Sequence, residues 1–179
     1  MRRLMLLRHA KTEAEAPSGK DFDRRLDERG RSDAAEIGGW MLRHRHVPDL
    51  VLVSTAVRAR QTWDIVAGAM KSGPQPLVAD LEELYGAGPS QLLQMIRAVE
   101  TQNPRKLLVI GHNPGIHELA LALSGSGDGA GRKALADNLP TSGLAVIDFA
   151  VEDWSDAAFR GGRLELFVSP KLLKKGTDQ

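Results

Sequence analysis

The sequence of 179 residues contains no cysteine. This absence excludes disulfide bonds, thiolate metal sites and cysteine nucleophiles. No apolar run approaches the length of a membrane span, and the run that follows the basic start Met1-Arg2-Arg3 is too short for the core of a signal peptide. We therefore expect a cytoplasmic protein with no membrane partner.

An excess of one charge is also lacking. The chain has 24 Lys and Arg against 23 Asp and Glu, which gives a formal net charge of +1. Nothing global points to nucleic acid or to an anionic surface as a partner, so any anion site must be local. The hydrophobic share of 42% is that of an ordinary globular protein. We expect one domain over residues 1–179, with residues 171–179 as a solvated tail.

Apolar runs that are typical of buried strands alternate with segments of helical periodicity. The runs are Leu4–Leu7, Leu50–Val53, the shorter Leu77–Ala79, Leu107–Ile110, Leu144–Phe149 and Leu164–Val168. Helices are predicted after caps at Asp27 and Ser90, from about Val57 to Met70, and from near Pro114 or Gly115. The glycine-rich segment Gly125–Gly131 is predicted to be a flexible lid or a plain connector. This alternation predicts an α/β fold with a mainly parallel sheet and helices on both faces.

Two histidines and two arginines lie at or just beyond the ends of predicted strands. Arg8 and His9 follow the Leu4–Leu7 run directly, and His112 follows Leu107–Ile110. Arg58 lies a few residues beyond the second strand. In open α/β sheets, ligands bind where the carboxyl ends of the strands meet the loops. We therefore expect these four side chains to converge on one pocket.

The four side chains suit a phosphoryl group. Guanidinium groups offer rigid forks of charge-assisted hydrogen bonds to phosphate oxygens, and a neutral imidazole can attack phosphorus. In this scheme His9 is the nucleophile, while Arg8 and Arg58 offset charge on the equatorial oxygens. His112, if protonated, adds a further donor, and water then hydrolyses phospho-His9. The sequence thus predicts a phosphatase that requires neither a metal nor a cofactor.

Several segments carry a resemblance to a known family. They read Leu-Arg-His-Ala at 7–10, Ser-x-x-x-Arg-Ala-x-Gln-Thr at 54–62 and Gly-His-Asn-Pro-Gly at 111–115. Together they resemble the histidine phosphatase superfamily, also called phosphoglycerate mutase-like. The alanine at position 10, the run Asp-Arg-Arg-Leu-Asp-Glu-Arg-Gly at 23–30 and the run Leu-Pro-Thr-Ser-Gly-Leu-Ala at 139–145 resemble its SixA-type phosphohistidine phosphatases.

The resemblance implies a three-layer α/β/α fold of the phosphoglycerate mutase-like kind. It also implies that His9 is the nucleophile. Arg8, Arg58 and His112 are then the other residues of the phosphate pocket. Asn113, which lies within the third segment, is a further candidate phosphate ligand.

Members of the superfamily often carry an acidic residue before an aromatic-glycine pair, and this residue acts as a general acid. Here Glu82 and Glu83 precede Tyr85-Gly86, and Glu82 matches the usual spacing slightly better. SixA-type members often lack this acid. The chemistry permits its absence, because a phosphoramidate nitrogen is basic enough to arrive protonated, whereas an alkoxide leaving group needs a proton. Three alternatives therefore stay open: the general acid is Glu82, it is Glu83, or the protein has none.

Three functions are consistent with the pocket. The predicted substrate is phosphohistidine in a protein, for example a histidine-phosphotransfer domain, because a compact chain leaves the pocket shallow and open. The rival is a phosphatase for a small phosphorylated metabolite, such as a sugar phosphate or a nucleotide. A mutase is disfavoured, since it needs a site closed to water. From another class, a phosphate-binding module without turnover is opposed by the intact His9. The sequence does not predict the oligomeric state.

Overall fold

The computed structural model describes residues 1–100 and 102–177. The strands are β1 (Arg2–Arg8), β2 (Leu50–Ser54), β3 (Leu77–Leu81), β4 (Lys106–Gly111), β5 (Ser124–Gly127), β6 (Leu144–Phe149) and β7 (Gly162–Val168). The helices are α1 (Glu28–Arg43), α2 (Val57–Ala69), α3 (Pro89–Arg97), α4 (Gly115–Leu123), α5 (Gly129–Asp137) and α6 (Pro170–Thr177). Short 3-10 turns lie at Asp21–Asp23, Glu82–Leu84 and Trp154–Asp156.

The strands form one sheet in the order β3-β2-β4-β1-β6-β7-β5. The pairs β3-β2, β2-β4, β4-β1 and β7-β5 are parallel. Among the described strands only β6 runs against its neighbours. The carboxyl ends of β2, β4 and β1 therefore lie side by side at one edge of the sheet, which is the place that the sequence predicts for the site.

Alternate side chains of each central strand enter two separate cores, as strand geometry requires. In β1, Leu4 and Leu6 pack into the core that α3, α4 and α5 cover. Met5 and Leu7 pack into the opposite core, under α1 and α2. All four side chains are fully buried. The predicted α/β fold, with helices on both faces of a mainly parallel sheet, is confirmed as a three-layer α/β/α sandwich.

The glycine-rich segment is neither a lid nor a plain connector, which corrects the prediction for Gly125–Gly131. Its first residues belong to β5, which pairs with β7. The side chain of Asp128 then caps α5 by accepting the N–H of Gly131. A Cβ at Gly125 would lie 2.0 Å from the carbonyl oxygen of Arg160. Gly125 and Gly127 are therefore required by close backbone packing.

Two helix boundaries also differ from the predictions. Helix α3 begins at Pro89 with Gly88 as its N-cap, so Ser90 is not the cap. Proline is favoured at a first helical position because its fixed φ suits the helix. Where a solvated tail is predicted, Pro170–Thr177 forms α6 and Leu173 packs against the core under α1 and α2. Residues 178–179 of that tail lie outside the described part of the chain.

Among residues 1–100 and 102–177, no helix is both long and apolar enough to cross a bilayer.

Candidate active site

The structure brings Arg8, His9, Arg58 and His112 together at the carboxyl edge of the sheet. Arg8 ends β1 and His9 follows it, while His112 follows β4 and Arg58 lies in the first turn of α2. The ring centroids of His9 and His112 are 5.3 Å apart. The residues His9, Arg58 and His112 are 6%, 5% and 9% exposed. Two cationic and two imidazole side chains thus share one largely buried pocket.

The hydrogen bond of one ring nitrogen fixes the chemistry of His9. Its Nδ1 lies 2.8 Å from the carbonyl oxygen of Ala10, which can only accept, so Nδ1 carries the hydrogen. That carbonyl belongs to a residue whose own N–H donates to Thr62 Oγ1 at 2.9 Å. Burial lowers the pKa of His9 to about 3. At neutral pH the ring is therefore uncharged, and Nε2 holds a free lone pair for attack.

His112 is oriented by a serine at the end of β2. The distance from His112 Nε2 to Ser54 Oγ is 2.7 Å. Ser54 Oγ also accepts the N–H of Ala56, and its hydroxyl hydrogen can be donated to Nε2. When Ser54 donates in this way, His112 Nδ1 carries the ring hydrogen. This Nδ1 is buried with no partner among the described residues. Burial lowers the pKa of His112 to about 4, so in the free protein this ring is neutral at pH 7.

Each arginine donates hydrogen bonds from its terminal nitrogens and leaves its Nε buried without a partner among the described residues. Arg8 Nη1 donates to the carbonyl oxygen of Leu139 at 3.2 Å. Arg58 donates to Asp21 twice, from Nη1 to the carbonyl oxygen at 2.8 Å and from Nη2 to Oδ2 at 3.0 Å. The Nε atoms of both arginines are buried without a partner in the described chain. Burial, and then the charge of Arg58, lower the pKa of Arg8. The pocket is therefore electropositive and supplies unpaired donors, which suits an anion.

Asp21 and Tyr85 complete the mouth of the pocket, and the sequence does not identify this role. The Tyr85 hydroxyl donates to Asp21 Oδ2 at 2.6 Å, and Arg24 Nε donates to Oδ1 at 2.9 Å. The Tyr85 ring meets the His112 ring edge-on, with centroids 5.4 Å apart, and the guanidinium of Arg58 lies 5.7 Å from its centre. The hydrogen bond from Tyr85, together with Arg58 and Arg24, lowers the pKa of Asp21 to about 2. Asp21 therefore stays ionised at neutral pH.

The remaining candidates are Asn113 and the two glutamates. Asn113 donates from Nδ2 to the carbonyl oxygen of Leu139 at 2.9 Å, the same oxygen that Arg8 contacts. Glu82 is exposed in the Glu82–Leu84 turn. Within the described residues, no hydrogen bond or ion pair joins the side chain of Glu82 or of Glu83 to the pocket. Neither glutamate is therefore held in place as a proton donor in the free protein.

Other parts of the surface do not offer a comparable arrangement. An apolar groove of about 560 Å³ runs between β3 and α3, and its lining includes Glu83 but none of the four pocket residues. In the described ranges, no group of three or more histidine, cysteine or acidic side chains is placed to hold a metal ion. We therefore identify the pocket of arginines and histidines as the candidate active site.

Sequence comparisons relate this chain to a known family. A family model for the histidine phosphatase superfamily (branch 1) matches residues 4–92. An uncharacterised protein of Mycobacterium leprae (strain TN) is 36% identical over 173 residues, which cover 92% of this chain and 100% of that protein.

Solved structures extend the similarity to the three-dimensional level. The protein assigned as phosphohistidine phosphatase SixA from Agrobacterium tumefaciens is 34% identical, with a TM-score of 0.78 over 94% of this chain and 98% of that one. Its counterpart from Nakamurella multipartitia is 30% identical, with a TM-score of 0.78 over 94% of this chain and 96% of that one. These similarities confirm the phosphoglycerate mutase-like fold that the sequence predicts.

Proposed function

The chain belongs to the SixA-type branch of the histidine phosphatase superfamily, and from this premise we propose that it removes phosphate from phosphohistidine in a protein through a phosphoryl intermediate on His9. Members of the superfamily are phosphatases. The observation that carries the proposal is the 2.8 Å contact of His9 Nδ1 with the Ala10 carbonyl. This contact leaves Nε2 unprotonated beside two guanidinium groups.

The reaction follows from the donors around His9. The phosphoryl oxygens accept hydrogen bonds from the free Nε atoms of Arg8 and Arg58 and from His112 Nδ1. His9 Nε2 attacks phosphorus on one side while the bond to the leaving nitrogen breaks on the other, in line. The positive charge of the arginines stabilises the charge that spreads over the equatorial oxygens, so this scheme uses no metal. Water then attacks phospho-His9, releases phosphate and restores the free imidazole.

A nitrogen-linked substrate fits the lack of a positioned acid. Glu82 and Glu83 make no contact with the pocket, and a protonated phosphoramidate nitrogen leaves without a donor, unlike an alkoxide. We therefore assign neither glutamate a role on phosphohistidine, and Glu82 stays the candidate acid for an ester. Asn113 fixes the carbonyl that Arg8 shares, and the second hydrogen of its Nδ2 is the donor it retains for phosphate.

The partner that this chemistry requires is a phosphorylated protein, with a histidine-phosphotransfer domain as the proposed example. Tyr85 and Asp21 are exposed at the mouth of the pocket. A phosphorylated side chain that protrudes from a protein surface can therefore reach His9. We propose that residues 1–179 act as one domain, since the single sheet carries a core on each face.

Phosphate release from a phosphohistidine-bearing protein, measured beside release from p-nitrophenyl phosphate, tests the proposal. We expect kcat/KM to be at least about tenfold higher for the phosphohistidine protein, and His9→Ala to lower both activities by about 10³-fold or more. His44→Ala, which removes an exposed histidine stacked on Trp40, is the matched control and should leave both activities unchanged.

Two outcomes would contradict the proposal. Faster release from the ester than from phosphohistidine would instead indicate a small-molecule phosphatase, with Glu82 or Glu83 as proton donor. Binding of the phosphorylated protein without any His9-dependent release would indicate a binding module.

A further inference from the structure

The pocket has a buried floor and an exposed mouth, and the mouth carries a negative charge. The side chain of Asp21 is 53% exposed, whereas that of Arg58 is 6% exposed. Asp21 binds the two terminal nitrogens of Arg58, and the nitrogen left free, Nε, is buried. Asp21 therefore lies on the solvent side of Arg58, and the phosphoryl donors lie on the inner side.

A carboxylate in this position works against a simple phosphate ester. A phosphoryl group carries close to two negative charges, and the ionised Asp21 beside Arg58 repels it and weakens the field of that arginine. Such a residue favours binding only if the substrate also brings a positive charge next to its phosphoryl group. Phosphohistidine meets this condition when the ring nitrogen that does not carry phosphorus is protonated.

The direction of the reaction brings the leaving group toward Asp21. His9 lies at the floor of the pocket, and in-line transfer places the leaving atom on the side of phosphorus opposite the nucleophile. That side is the open mouth. Tyr85 connects the two levels, because its ring touches His112 and its hydroxyl binds Asp21 at 2.6 Å. Tyr85 is 38% exposed, and Phe22 packs edge-on against it with centroids 5.1 Å apart.

Asp21 also retains room for one more donor. A carboxylate offers about four lone-pair positions. Tyr85 and Arg58 use the two on Oδ2, and Arg24 uses one on Oδ1. One position on Oδ1 is left.

We propose that Asp21 and Tyr85 form a subsite for the leaving group that selects a protonated imidazole ring. This assignment rests on the proposed function and deepens it. The free position of Asp21 Oδ1 accepts the N–H of the ring nitrogen that does not carry phosphorus. The exposed part of the Tyr85 ring packs against the cationic ring, as aromatic faces do with cations.

The subsite replaces a general acid, and the electrons balance. When the P–N bond breaks, its electron pair returns to a ring that is already protonated at the other nitrogen, so neutral imidazole leaves. Without that proton the ring would have to leave as an imidazolate anion. Asp21 therefore lowers the barrier by holding the proton on the substrate, and no proton has to come from Glu82 or Glu83.

The test compares Asp21→Asn with wild type on a phosphohistidine-bearing protein and on p-nitrophenyl phosphate. We expect Asp21→Asn to lower kcat/KM for phosphohistidine by about 10- to 100-fold, the effect of losing one hydrogen bond to a charged group. Activity on the ester should fall by less, so the ratio of the phosphohistidine activity to the ester activity should decrease. Asp21→Glu should restore part of the preference for phosphohistidine. The control is Asp23→Asn, because Asp23 lies in the same turn but binds Ser18 Oγ instead, and it should not change the ratio of the two activities.

Tyr85→Phe gives a second, milder test, since it removes only the hydroxyl that binds Asp21 and should shift the ratio in the same direction. Equal losses on both substrates in Asp21→Asn would overturn the assignment and reduce Asp21 to a residue that positions Arg58. Full wild-type activity of Asp21→Asn on both substrates would overturn the subsite and leave the proposed function standing. A wild-type enzyme that hydrolyses only the ester would overturn the proposed function and the subsite together.

Discussion

At the scale of single residues, each pocket histidine is oriented by a hydrogen bond to the ring nitrogen that faces away from the phosphoryl site. Ala10 accepts from His9 Nδ1, and the hydroxyl of Ser54, 2.7 Å from His112 Nε2, can donate to that nitrogen. The two rings consequently present opposite properties to a phosphoryl group. His9 presents a lone pair that can attack, and His112 presents an N–H that can donate.

Ser54→Ala tests this arrangement. Loss of the hydroxyl leaves His112 free to adopt either tautomer, so we expect kcat/KM to fall by about tenfold or more, as for other groups that orient a reactive side chain. The adjacent Thr55→Val is the matched control, because Thr55 Oγ1 is buried with no partner in the described residues. It should leave kcat/KM unchanged. Equal activity of Ser54→Ala and wild type would show that the hydroxyl does not orient the ring.

The sequence indicates some of the pocket residues and not others, for a physical reason. Arg8, His9 and His112 directly follow or end strands, so the topology of a parallel sheet is enough to bring them together. Asp21 reaches the pocket only because the segment before α1 folds across the start of α2, and its partner Tyr85 is 64 positions away. No local pattern encodes such a contact.

Among the elements, the start of α4 is fixed against the segment that precedes α3. A Cβ at Gly115 would lie 2.0 Å from the carbonyl oxygen of Ala87. This close approach requires glycine, and it ties the helix that follows His112 to the segment that follows Tyr85. The edge-on contact between the Tyr85 and His112 rings depends on this close approach.

Gly115→Ala should therefore destabilise the protein by about 1–3 kcal/mol, the usual cost of overpacking, and reduce activity as well. Gly68→Ala should have the opposite sign. Gly68 is exposed in α2, and an added Cβ there would meet nothing within 4 Å. Because alanine is the better helix former, we expect a gain of about 0.5–1 kcal/mol. Urea unfolding of both variants measures the difference, and a Gly115→Ala variant as stable as wild type would refute the steric argument.

Elements with a strong local signal are predicted well. The apolar strands and the Asp27 cap of α1, whose side chain accepts the N–H of Gly30, are confirmed. Strand β5 reads Ser-Gly-Ser-Gly and has no apolar residue, so it carries no strand signal. It is a strand only because β7 provides a pairing edge, which is a tertiary effect.

In the whole molecule, buried histidines make folding sensitive to acid. Burial lowers the pKa values of His9, His46 and His112 to about 3, 4 and 4. Their ordinary value is 6.5, so below that pH the unfolded chain binds protons that the folded protein does not. The part of the unfolding free energy that comes from these uncharged histidines is therefore fully present above pH 6.5. It is lost as the pH falls toward about 4.

His46→Gln isolates one part of this effect away from the pocket. His46 is 5% exposed and stacks on Trp40 with ring centroids 5.3 Å apart. Near pH 5, one such histidine contributes a slope of about 1 kcal/mol per pH unit. We expect His46→Gln to reduce the slope of the unfolding free energy against pH by about this amount. A slope identical to that of wild type would contradict the account.

The phosphoryl intermediate on His9 is the central claim, and trapping it is the most direct test. Single turnovers with a phosphohistidine protein are quenched in alkali, and the modified residue and ring atom are located by mass spectrometry and phosphorus NMR. We predict that a phosphoryl group appears on Nε2 of His9 within the first turnover and decays no more slowly than phosphate is released. Turnover without a phosphoryl group on His9, or with the group on His112 instead, would contradict the mechanism.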